Sequence, residues 1–141
     1  MTTAHITFAN LQEALMGVMV CAGSADGELG ADETALIVAV CLGVPAFRGA
    51  HVESLAPYIR RVVQAVDREG GDAVLSAAVA ALPRDAHELA FLLAADVILA
   101  DGQVAAKELD LFRKLAGLLG LTAPRAQELS NVAMIRNRVF V

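Results

Sequence analysis

Apolar residues recur along the chain in blocks with helical spacing. No segment keeps the strict alternation of apolar and polar residues that is typical of a half-buried strand. Capping residues, glycines and prolines separate the blocks, as expected for helix ends. We therefore predict an all-α fold, a single compact bundle of about seven helices. The predicted helices cover residues 10–24, 31–43, 52–69, 72–82, 86–100, 106–119 and 123–138.

Three helix starts carry a recognisable capping pattern. Asn10 with Glu13, and Asp85 with Glu88, have the spacing of a capping box, in which the first side chain accepts from a backbone amide and the second reaches back. These two pairs are predicted to open the first and fifth helices. Thr122 is predicted to cap the seventh helix in the same sense.

One short segment occurs twice. "ADGELGADE" covers residues 25–33, and "ADGQVAAKE" covers residues 100–108, which is 75 residues later. Each segment joins two predicted helices, so residues 10–43 and 85–119 form two similar helical hairpins. Residues 52–82 are an insert, and residues 123–138 add a last helix. Two hairpins packed about a pseudo-twofold axis would bring the repeated loops to comparable positions.

The repeated loop has two interpretations. In the first it only starts a helix: Asp-Gly makes the turn, and Glu33 or Glu108 meets the positive end of the next helix dipole. In the second, the order Asp, Gly, apolar, Glu is that of the second half of a calcium-binding EF-hand loop. The earlier ligand positions are Ala22 and Ser24 in the first copy and Val97 and Leu99 in the second, and the helical Val97 and Leu99 cannot coordinate calcium. Each loop therefore has half a ligand set, and two halves together would supply one site for a hard cation.

Asp96 adds a third carboxylate to the second copy. Asp96 is the only charged residue in the segment from Leu89 to Ala100, and the rest of that segment is apolar. A buried carboxylate is costly unless it is paired or ligates a metal. The alternatives are thus a hydrogen bond to a neighbouring helix end or a place in the cation site. The candidate metal ligands are Asp26, Glu33, Asp96, Asp101 and Glu108.

Composition narrows the class of protein. The chain has 141 residues, of which 57% are hydrophobic and only 4% aromatic, enough for one domain with a sizeable core. No apolar stretch reaches the roughly 20 residues of a membrane span, and the first basic residue is Arg48, so no signal peptide is expected. These features predict that the protein is cytoplasmic. The net charge of −5 argues against a nucleic-acid partner.

The two cysteines lie in apolar helical segments. Cys21 and Cys41 have no spacing typical of a zinc site or a redox pair. We predict that both are buried, reduced thiols without a disulfide.

These motifs resemble those of the tellurite-resistance TerB family of bacteria. The resemblance covers residues 11–138 and rests on "SADGELGADE", "VPAFRG" and "AADVILADGQVAAKELDLFRKLAGLLGL". It implies a seven-helix bundle with an acidic cluster proposed to bind divalent cations, and a role in stress resistance within larger protein assemblies. Cys21 stands where the second repeat has Asp96, so the two half-sites are unequal.

Two functions follow as hypotheses. The leading one is a non-enzymatic, acidic protein that binds a divalent cation (calcium, magnesium, manganese or zinc) and serves tellurite resistance or a stress response. The alternative is a protein–protein interaction module whose repeated loops are purely structural. A hydrolase using Asp and Glu has the least support, because the sequence shows no nucleophile. The sequence leaves open whether the chain forms a homo-oligomer.

Overall fold

Seven α-helices and no strand make up the described part of the chain, as the hydrophobic pattern predicts. The computed structural model describes residues 5–24, 29–100, 106–138 and 140, and for residues 106–108 it describes the helix but not the side chains. The bounds differ from the predicted ones by at most two residues. The helices are α1 (Leu11–Gly23), α2 (Ala31–Leu42), α3 (Val52–Glu69), α4 (Gly71–Ala81), α5 (His87–Leu99), α6 (Ala106–Leu118) and α7 (Ala123–Arg136), with short 3-10 turns at Pro45–Phe47 and Arg84–Ala86.

The centre of the bundle is a pair of helices that are apolar on every side. All residues of α1 from Ala14 to Ala22 are buried, and α5 buries nearly all of its residues from Ala90 to Leu99. A helix that is apolar all round belongs inside a protein rather than on its surface. The two helices pack against each other, and α1 also packs extensively on α4 and α3. The remaining helices surround this pair.

Helix α3 shows the opposite pattern, with one apolar and one polar side. Leu55, Ile59 and Val62 are buried, while Arg60 is exposed. Pro57 lies in the second turn and is exposed, and α3 nevertheless begins at residue 52. The strong amphipathicity places α3 on the outside of the bundle with one face on the core.

Two of the three predicted caps are present. The amide of Glu13 donates to Asn10 Oδ1 at 2.9 Å, and Glu13 Oε1 accepts from the amide of Ala9 at 2.9 Å. At α7, the amide of Arg125 donates to Thr122 Oγ1 at 3.2 Å. These contacts satisfy amides that have no partner within the first helical turn.

The predicted capping box at Asp85 is wrong. The chain after Pro83 already turns as a 3-10 helix, and helical backbone angles continue through Ala86 into His87. Asp85 therefore lies inside that turn and not at the boundary of α5, whose N-cap position is Ala86 and has no side-chain cap bond. Asn10 and Asp85 do not correspond as N-caps, so the repeat is less regular at this end than the sequence indicates.

The segment before α1 is fixed to the bundle at two points. The ring of Phe8 covers Gly17, where an added Cβ would lie only 2.6 Å from Phe8 Cε1. The amide of Ile6 donates to Glu69 Oε2 at 3.0 Å, and His5 Nδ1 lies 3.2 Å from Glu69 Oε1. Gly17 is thus required by the close approach of the aromatic ring, and residues 5–9 are held against α1 and the end of α3.

No helix in the described ranges is both long and apolar enough to cross a membrane.

Candidate metal centre at the ends of α1 and α5

The two central helices end in the same region of the bundle. Gly23 is the last residue of α1, and a Cβ placed on it would lie 3.3 Å from Val97 Cγ1 near the end of α5. The same position is 2.8 Å from Leu29 Cδ1, just before α2. Helices α1 and α5 therefore end close to each other, just before residues 25–28 and 101–105, as a site shared by the two loops would require.

Glu33 lies in the first turn of α2 and is exposed. Its side chain folds back toward the N-cap residue, because Glu33 Oε2 would lie 2.7 Å from a Cβ placed on Gly30. The carboxylate thus sits close to the positive end of the α2 dipole, as the structural interpretation of the loop expects. Its exposure also leaves it accessible to a cation from solvent.

Asp96 is engaged by the end of α7. Arg136 binds it through two contacts, Nη2 to Oδ2 at 2.5 Å and Nε to Oδ1 at 3.2 Å. Asn137 Nδ2 donates to Asp96 Oδ1 at 2.9 Å. The side chain of Asp96 is 14% exposed, and this paired arrangement offsets the cost of holding a carboxylate there. It is the hydrogen bond to a neighbouring helix end that the sequence offered as the alternative to a metal ligand.

Three of the five predicted ligands lie outside the described residues. Asp26 and Asp101 belong to the two connections, and the side chain of Glu108 is likewise not described. Glu33 and Asp96 are described, and among the described residues neither belongs to a group of three or more His, Cys, Asp or Glu that could hold a metal. The complete ligand set therefore stays a prediction.

Cys21, which replaces Asp96 in the first repeat, is a buried thiol. Burial, with a smaller contribution from the nearby Asp72 carboxylate, raises the pKa of Cys21 to about 12. Its Sγ lies 3.7 Å from the carbonyl oxygen of Gly71, to which it can donate. Burial likewise raises the pKa of Cys41 to about 12. Both cysteines are free, as predicted, and each is buried in the core.

Sequence reasoning missed the partner of Asp96 and an apolar groove. Arg136 is separated from Asp96 by 40 residues in the sequence, and this separation hides the pairing. The groove lies between α6 and α7, where Leu109 and Met134 are each 47% exposed.

The chain matches no family model, no curated protein and no solved structure in the three comparisons made with known proteins.

Proposed function

We propose that the chain is a non-enzymatic, TerB-like helical domain that binds one divalent cation between its two repeated acidic loops. The setting is a cytoplasmic stress response or tellurite resistance, in which the domain acts with other proteins. The main support for the proposal is the close approach of Gly23 to Val97. It shows that the helices that precede the two loops end next to each other, at one end of the bundle.

The proposed ligands are carboxylates from both loops. Asp26 and Glu33 come from the first copy, and Asp101 and Glu108 from the second. Oxygen donors of this kind suit calcium, magnesium and manganese, and carboxylates also bind zinc. Asp96 joins this set only if it exchanges its bonds to Arg136 and Asn137 for the cation.

The test is thermal unfolding of chelator-treated protein with each of the four cations added separately. A cation that binds only the folded state at a concentration of 100 Kd stabilises it by about 2.7 kcal/mol, which raises the melting temperature. Asp101→Asn should reduce this rise more than Asp26→Asn, because the second copy carries Asp96 beside it. Without cation, Asp101→Asn should be no less stable than the parent, since it removes repulsion between carboxylates.

The matched control is Asp85→Asn. Asp85 is exposed and lies before α5, at the opposite end of that helix from the proposed site. It should leave the cation response unchanged. If no cation raises the melting temperature of the parent protein, the proposed site does not exist.

The second candidate is a protein-interaction module with purely structural loops. The pairing of Asp96 with Arg136 and Asn137 supports it, because that carboxylate is already satisfied without a metal. On this interpretation Asp101→Asn destabilises the protein by about 1 kcal/mol through a disturbed helix start, and cations have no effect on either form.

A further inference from the structure

An open apolar groove of about 660 Å³ runs between α6 and α7. Both helices pack on α5, more extensively in the case of α7, and α5 contributes Phe91 and Leu99 to the groove. Phe112 and Leu121 add further apolar surface. The groove is therefore continuous with the core but is not closed by any described element.

Small residues line the end of the groove that is next to the connection between α6 and α7. Ala116 and Gly117 come from α6, and Ala123 and Ala126 come from α7. A Cβ placed on Gly117 would meet no atom within 4 Å. Small side chains on the two helices that flank the groove leave holes that the larger side chains of a third helix can fill. The 13 residues of α6 correspond to about 20 Å, which sets the length of such a helix at about 14 residues.

A positive charge beside the groove favours a partner that carries an acidic residue. Arg113 is the one charged side chain among the described residues that line it. Its contact with Asp110 is long, at 3.4 Å, and both side chains are almost fully solvated, at 79% and 78% exposure. A pair this exposed contributes little and exchanges readily. Arg113 is thus available for a carboxylate of an incoming partner.

We propose that this groove binds an amphipathic helix of another protein, with a row of large apolar side chains and an acidic residue facing Arg113. A second copy of the chain does not fill the groove with its own groove. In a twofold dimer the same surface of both copies would meet, and two concave grooves placed against each other leave both unfilled. The inference does not depend on the proposed cation site, because it is argued from the lining of the groove and not from the candidate cation ligands.

The experiment uses the full chain and two synthetic peptides of about 14 residues. Both peptides carry Leu at helical spacing on one face and polar residues on the other, and they differ at one position near the middle of the helix, which is Glu in one peptide and Lys in the other. Fluorescence anisotropy of the labelled peptides should show binding, about threefold tighter for the Glu peptide. Arg113→Glu should reverse that preference.

Gly117→Leu is the blocking variant, with Gly117→Ala as its matched control. The larger side chain fills empty space, so the variant should fold and melt no lower than the parent, while it binds the Glu peptide about tenfold or more weakly. Gly117→Ala should bind like the parent. Equal binding by Gly117→Leu and the parent, or no binding of either peptide, overturns the proposal. Self-association of the parent that Gly117→Leu abolishes also overturns it, in favour of a second copy as the occupant.

Discussion

At the scale of single residues, the most informative contact is the ion pair that joins α5 to the end of α7. Asp96 is shielded and makes three polar contacts, while the side chains of Arg113 and Asp110 are 79% and 78% exposed. Exposed pairs contribute little to stability because water screens them and side-chain entropy opposes them. The two pairs therefore provide a matched comparison.

Arg136→Ala should lower the free energy of unfolding by about 1–2 kcal/mol, because it leaves the shielded Asp96 carboxylate with fewer partners. Arg113→Ala should change it by no more than about 0.5 kcal/mol. Urea denaturation of both variants measures the difference. Equal effects would mean that the Asp96 pair contributes no more than a surface pair. If Asp96 also ligates a cation, Arg136→Ala should strengthen cation binding, because the competing guanidinium is gone.

At the scale of helices, the start of α1 differs from the start of α5. Asn10 caps α1 directly, whereas α5 continues from a 3-10 turn and has no side-chain cap. A side chain that makes no cap bond can be removed at little cost, even where the sequence has the spacing of a cap.

Asn10→Ala should therefore destabilise the protein by about 1 kcal/mol, because the amide of Glu13 loses its acceptor. Asp85→Ala should be nearly neutral, within about 0.5 kcal/mol. Chemical denaturation of the two variants under identical conditions gives the comparison. A loss at Asp85 as large as that at Asn10 would contradict the described start of α5.

The helices were predictable from sequence because each is marked locally. Gly70 separates α3 from α4, and Thr122 caps α7, so neighbours in the chain define the boundaries. The cap at Asp85 was mispredicted because a 3-10 turn after Pro83 uses the same residue types as a helix start. The surroundings of Asp96 could not be predicted, since Arg136 and Asn137 reach it only after α7 packs on α5.

At the scale of the whole molecule, ionisable groups with shifted pKa values set the pH range of stability. Bonds from Arg125 lower the pKa of Glu88. Burial tends to raise the pKa of Glu69, but the bonds from the Ile6 amide and from Arg68 and His5 outweigh it, so the net shift is downward. Burial raises the pKa of both cysteines, from 9.0 to about 12.

Stability should therefore be greatest between about pH 5 and pH 9. Below that range the two glutamates take up protons more readily in the unfolded chain, so their contribution is lost as pH falls through their lowered folded pKa values. Above pH 9 the unfolded chain releases thiol protons that the folded chain retains, so stability falls as pH rises toward 12. Melting temperatures measured at constant ionic strength from pH 3 to pH 11 test the loss of stability at both ends of this range. Glu88→Gln should reduce the loss at low pH. A melting temperature that rises above pH 9 would contradict the buried thiols.

The attachment of the segment before α1 has a consequence for the order in which the chain assembles during synthesis. His5 and Ile6 are bound by Glu69, 64 and 63 residues later. A ribosome adds about 5–20 residues per second, so these early residues wait several seconds before their partner exists. Helix α1, which is apolar on all sides, emerges in the same interval without α4 and α5 to cover it. The segment before α1 thus reaches its final position only after the end of α3 has been made.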